Sequence, residues 1–235
     1  MRPVVRGDCP QDGNGADIRF SEYANARGDM IIRLGEYCSY CEMQLDASLA
    51  IEHIKPKQPP GASVVRPERA LAWNNFLLAC TNCNSTKGNT EVNLDDCLWP
   101  DRDNTFMALK YAEGGLVSSV PGIMQDKANR LISLVGLDKT PDTSTASDRR
   151  WQNRRETWDM ATRAMENLAS CNNSYMKDQI VETAQAKGFW STWMTVFKDD
   201  PDMLRRFIEA FPGTDTDCFD AAHGYVPIAR PGGQC

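Results

Sequence analysis

At 235 residues, with 41% hydrophobic and 25% charged residues, the chain has the composition of a globular protein with one good core, or one core and a small appended unit. It contains no run of 18 apolar residues and no apolar segment in residues 1–15, so neither a membrane span nor a secretory signal is expected, and a cytoplasmic protein without a membrane partner is. The net charge is −6, with 12 Lys+Arg against 16 Asp+Glu in residues 1–120 and 14 against 16 in residues 121–235; this excludes a protein that grips nucleic acid through overall basicity.

In chain order, residues 1–20 are rich in Gly, Asp and Pro and read as an extended arm. From Phe20 to Leu34 the spacing of Tyr23, Met30, Ile31 and Leu34 predicts a helix ended by Gly35. Leu49 to Ile54 reads as a strand, Lys55 to Pro67 as a loop because of its four prolines, Asn75 to Cys80 as a second strand, and Thr81 to Lys87 as a helix stopped by Gly88. A polar linker is expected over Asp138 to Ser147. Helical spacing follows over Asp148 to Ala169, with Trp151, Trp158, Ala161, Met165 and Leu168 on one stripe, then over Tyr175 to Lys187, Phe189 to Phe197, and from Asp200-Pro201 to Phe211. The fold class is therefore α+β, divided into an arm and helix (residues 1–35), a compact core (36–100) and a mainly helical region (101–235).

Two Cys-x-x-Cys pairs, Cys38/Cys41 and Cys80/Cys83, frame that core. Nine cysteines without a secretory signal point to metal-bound thiolates rather than disulfides, and four cysteines on two tight turns suit a closed structural Zn2+ site. Cys9, Cys97, Cys171, Cys218 and Cys235 show no pattern and read as free thiols. Glu52 and His53 lie inside the clip. In a regular strand their side chains point to opposite faces, so either the strand ends there or the two have separate jobs. Zinc alone would make a scaffold, and a lone histidine is more often structural than catalytic.

Taken together, Glu52-His53-Ile54-Lys55-Pro56, Trp73-Asn74-Asn75-Phe76-Leu77-Leu78 and Cys80-Thr81-Asn82-Cys83-Asn84-Ser85-Thr86-Lys87-Gly88 resemble an HNH endonuclease of the zinc-clipped type, over about residues 36–90. The resemblance implies a ββα-metal core and a role for each matching residue. His53 would be the general base, Glu52 and Asn84 the ligands of a catalytic cation, and Asn75 the residue orienting His53. Lys87, one turn beyond Asn84, would contact phosphate. Glu and Asn, without a histidine ligand, favour Mg2+ or Mn2+ at that site. Glu and Asn here replace the family's more frequent Asp and His, and the Pro-rich loop is long for its hairpin.

Lys55 and the arginines Arg149, Arg150, Arg154 and Arg155, interleaved with Trp151, are candidate nucleic-acid contacts; the competing reading is a solvated helix face. Phe189, Trp190, Trp193, Met194 and Phe197 are helical core or a partner patch. The order Glu52, His53, Asn75, Asn84 inside the cysteine clip leads to the expectation of a DNA-cleaving enzyme, and one HNH unit followed by a helical region resembles the nuclease subunit of Septu-type, in part retron-associated, anti-phage systems, which implies an ABC-type ATPase partner. RNA or tRNA cleavage, and a non-catalytic zinc-binding adaptor, are the alternatives.

Overall fold

The helix expected over Phe20–Leu34 begins as a 3-10 turn at Tyr23–Ala26 and continues as α1 (Arg27–Leu34), which buries Met30 and Leu34. The Pro-rich loop then separates two short apolar runs, and those runs pair: β1 (Ala50–His53) lies antiparallel to β2 (Phe76–Ala79), with Ala50 opposite Ala79 and His53 opposite Phe76. Between them the chain makes a single helical turn, α2 (Pro67–Ala70), with Pro67 in its first turn. The helix α3 (Thr81–Lys87) starts directly after β2; the Cys80 sulfur caps it by accepting the Cys83 N–H at 3.4 Å, and Gly88 ends it. The structure, a computed structural model, describes residues 1–141 and 148–235, so the expected linker over 138–147 lies mostly outside the described residues.

Residues 101–141 carry elements that their short apolar runs did not signal: α4 (Thr105–Ala108), an antiparallel hairpin of β3 (Leu109–Ala112) and β4 (Leu116–Ser119), and α5 (Gln125–Val135). The apolar face of α5 (Ala128, Leu131, Ile132 and Val135) belongs to the same hydrophobic cluster as Phe76–Ala79 and the four paired cysteines, so packing runs unbroken across residue 100. A second cluster joins α6 (Arg150–Ser170), α7 (Ser174–Lys187), α8 (Trp190–Val196) and α9 (Pro201–Ala210). Asp200 caps α9 through the N–H groups of Asp202 and Met203, with Pro201 at the first helical position. A short pair, β5 (Phe219–Asp220) with β6 (Val226–Pro227), follows α9. Phe189, Trp190, Trp193, Met194 and Phe197 are all buried and form core. No helix among the described residues is long and apolar enough to cross a membrane.

The buried stripe of α6 differs from the expected one. In its first half the inward positions are Arg150, Arg154 and Thr157, not Trp151 and Trp158, which are half-buried. The reason is a set of carbonyls that need donors. Arg150 Nη1 donates to Val135 O at 2.6 Å, and Arg154 donates to Gly115 O at 2.6 Å and Leu137 O at 3.0 Å. Gly115 lets this happen: a Cβ there would stand 2.6 Å from the Arg155 nitrogen. Arg150 and Arg154, 3% and 2% exposed, are thus internal clamps, which corrects the expectation that they meet nucleic acid.

The two clusters are joined through Glu42, the residue after Cys41. Its buried carboxylate accepts hydrogen bonds from Arg2 N at 2.5 Å, Ser191 Oγ at 2.6 Å and Ser191 N at 3.2 Å, while its carbonyl accepts the Phe189 N–H at 2.8 Å. Gly188 makes the approach possible, since a Cβ there would meet Glu42 O at 2.5 Å. Replacing Glu42 by Ala strands these buried donors, and a loss of about 2–4 kcal/mol in unfolding free energy is expected by urea denaturation at constant zinc content. A loss below about 0.5 kcal/mol would show that the junction is held by packing alone.

Candidate active site and metal centre

The four sulfurs of Cys38, Cys41, Cys80 and Cys83 lie within 4.8 Å of one another, and all four residues are buried. Tetrahedral zinc with bonds of about 2.3 Å separates its sulfurs by about 3.8 Å; Cys41 and Cys80 are 3.7 Å apart. Four thiols this close cannot titrate independently. Hydrogen bonds from Cys38 and Cys41 hold Cys80 far below the usual thiol range, and the same sulfur contacts push Cys41 far above it. A divalent cation resolves that conflict by taking all four as thiolates, so the donor set fits zinc. Arg150 adds an outer contact, Nη1 to Cys83 Sγ at 3.1 Å, and ties the start of α6 to the cluster.

The cysteine pairs sit before β1 and after β2, and they leave the far end of the hairpin open as a cleft of about 440 Å³. Glu52, His53 and Asn84 all line it, with Tyr23, Lys57 and Asn89. His53 is the last residue of β1, and at this end of the strand both it and Glu52 border the cleft. His53 Nε2 lies 3.1 Å from Ala70 O. A carbonyl only accepts, so Nε2 carries the proton and Nδ1 keeps its lone pair. The rings of Tyr23 and Phe76 meet the imidazole edge-on, with centroids at 5.0 and 5.4 Å. Burial lowers the His53 pKa from 6.5, with Lys57 and Lys87 adding to the effect and the Ala70 carbonyl opposing it. The imidazole is therefore neutral at pH 7, as a proton acceptor must be.

Asn75 is buried and its side chain makes no hydrogen bond to His53 among the described residues. Its Oδ1 accepts the Lys55 N–H at 2.8 Å, and its Nδ2 donates to Lys55 O at 2.8 Å and Arg69 O at 2.9 Å. It closes the loop between those residues and fixes the position next to the Ala70 carbonyl.

Lys87 is placed differently from the phosphate contact expected of it. It is 1% exposed, with Nζ 2.7 Å from both Glu52 Oε1 and the His53 carbonyl, and it faces the site from beneath. Burial raises the Glu52 pKa above 4.5, while the Lys87 charge pulls it back. The ammonium is close to Oε1 but off the direction of a hydrogen bond, which leaves that buried oxygen without a directed donor. The Asn84 side chain is half-buried and makes no hydrogen bond among the described residues. Glu52 and Asn84 both line the cleft, and a carboxylate beside an amide that makes no hydrogen bond among the described residues fits a hard divalent cation held by oxygen ligands.

Lys55, Arg149 and Arg155 are exposed, as nucleic-acid contacts must be. Tyr23 and Lys57 escaped notice because nothing local in the sequence links a helix-spaced tyrosine to a histidine thirty residues away.

Residues 38–90 match the family model described as HNH endonuclease. The match supports the HNH resemblance and implies nuclease chemistry in that segment. No curated protein and no solved structure matches the chain.

Lys87→Met would leave Glu52 buried with its charge unpaired, and a loss of about 3–5 kcal/mol is expected in urea denaturation of the zinc-loaded protein. Adding Glu52→Gln to the same chain should recover part of that loss; strict additivity of the two changes would show that the pair is not coupled.

Proposed function

We propose that the chain is a metal-dependent endonuclease that hydrolyses phosphodiester bonds in DNA. The observation that carries this reading is the convergence of Glu52, His53 and Asn84 on one cleft, with the imidazole nitrogen facing away from Ala70 free to accept a proton. His53 Nδ1 takes a proton from water as the water oxygen bonds to phosphorus. The bond from phosphorus to the 3′ oxygen breaks, and the leaving oxygen is protonated from solvent. Tyr23, Phe76 and the Ala70 carbonyl keep the ring aimed throughout. Glu52 and Asn84 would hold Mg2+ or Mn2+, which supplies charge neutralisation at the leaving oxygen when bound.

His53→Ala should lower metal-dependent cleavage of DNA by about 10²–10⁴-fold, with zinc content and thermal midpoint retained. Because burial lowers the His53 pKa, activity should be flat around neutrality and fall only as pH drops below 6.5. Full activity of the variant, or a base limb above that pH, rejects His53 as the base. Preferential cutting of RNA in parallel assays would move the substrate to the alternative reading.

The net charge of −6 supports a second element of the proposal: an ABC-type ATPase subunit supplies substrate grip and restraint, in an anti-phage assembly of the Septu type. Such a subunit, co-expressed from an adjacent gene, should co-purify with the chain. A solitary protein that cuts at full rate removes the need for it.

A further inference from the structure

Among the described residues, the cleft contains one ammonium that no carboxylate engages. Lys57 follows β1 by four residues and makes no ion pair among the described residues. Its Nζ lies 3.8 Å from the centroid of the Tyr23 ring, and Tyr23 in turn meets His53 edge-on at 5.0 Å. Both residues line the cleft with Glu52, His53 and Asn84. Tyr23 comes from the turn ahead of α1, outside the segment that matches the HNH model, so this contact belongs to this chain's own framework. The other cation at the site, Lys87, is buried against Glu52 and is not free to meet a ligand.

The charges decide what the pair can do. Glu52 and Lys87 cancel, and His53 is neutral, so Lys57 provides uncompensated positive charge beside the proton acceptor. Contact with a ring face biases a long side chain toward one position without removing its affinity for an anion. The Tyr23 ring therefore holds the ammonium at the mouth of the cleft.

We propose that Lys57, held by Tyr23, is a phosphate-binding subsite for the nucleic-acid backbone that enters the cleft next to His53. This rests on the nuclease reading for its ligand and adds to it the group that receives the backbone. Such a contact is independent of base sequence, and it lets an acidic chain hold a polyanion at one chosen place.

The test is binding of a fluorescein-labelled DNA duplex by anisotropy across a salt series, with zinc-loaded protein and no added magnesium or manganese. Lys57→Met should weaken binding about 5- to 10-fold at low salt and make the slope of log K against log salt less negative by about 0.9, the value for one lost phosphate contact. Lys57→Arg should restore the slope. Tyr23→Leu should weaken binding, and Tyr23→Phe should recover it relative to Leu, since the ring face is what holds the ammonium. In cleavage assays Lys57→Met should raise KM more than it lowers kcat. An unchanged slope for a folded Lys57→Met protein, or no DNA binding by the unsubstituted chain, overturns the subsite. A Lys57-dependent slope in a protein that never cleaves supports the subsite and rejects the nuclease reading instead.

Discussion

Four sulfurs gathered within 4.8 Å set the geometry of everything around them. The two cysteine pairs close the strand hairpin at one end, and Cys80 also caps the helix that carries Asn84 and Lys87. One knot thus fixes the hairpin, the start of α3 and, through Arg150, the start of α6. A hairpin of two four-residue strands would be marginal on its own, so cross-linking by metal is the economical way to make it rigid. The open end of the hairpin, where no sulfur lies, borders the cleft lined by Glu52, His53 and Asn84.

The second constraint is electrostatic. Burying Glu52 is costly, and Lys87 offsets that cost from the protein side of the carboxylate, leaving the cleft side for a ligand. This arrangement keeps a negative oxygen in a confined place without an open field of acidic groups, which would repel a phosphate. Lys57 then tips the local balance to positive, in a molecule whose total balance is negative.

What could be read from the sequence was what depends on near neighbours in the chain. The spacing within Cys-x-x-Cys, the strand punctuated by Pro56, and the helix between Cys80 and Gly88 are all local, and each element lies within a residue or two of its expected bounds. What could not be read depends on distant partners. Arg150 and Arg154 look solvent-bound beside Trp151, yet they face inward because Val135, Gly115 and Leu137 present carbonyls from another part of the chain. The β3–β4 hairpin hides because only Leu109, Tyr111 and Val117 of its strands face the core. Lys87 has a helix-end position that suggests exposure, and only the placement of Glu52 reveals why it is buried.

Glu42 gives the arrangement a character that its cysteine motif alone would not convey. The residue beside one of the four clustered cysteines is an acid whose hydrogen-bond donors come from Arg2 and Ser191, far from it in the sequence on either side. Residues 38–90 are therefore not a portable cassette. Transplanted elsewhere, the segment would carry a buried anion with nothing to answer it, and its knuckle would face a surface that lacks the Gly188 notch. A substitution at Glu42, Ser191 or Gly188 therefore has to be answered on the other side of that contact.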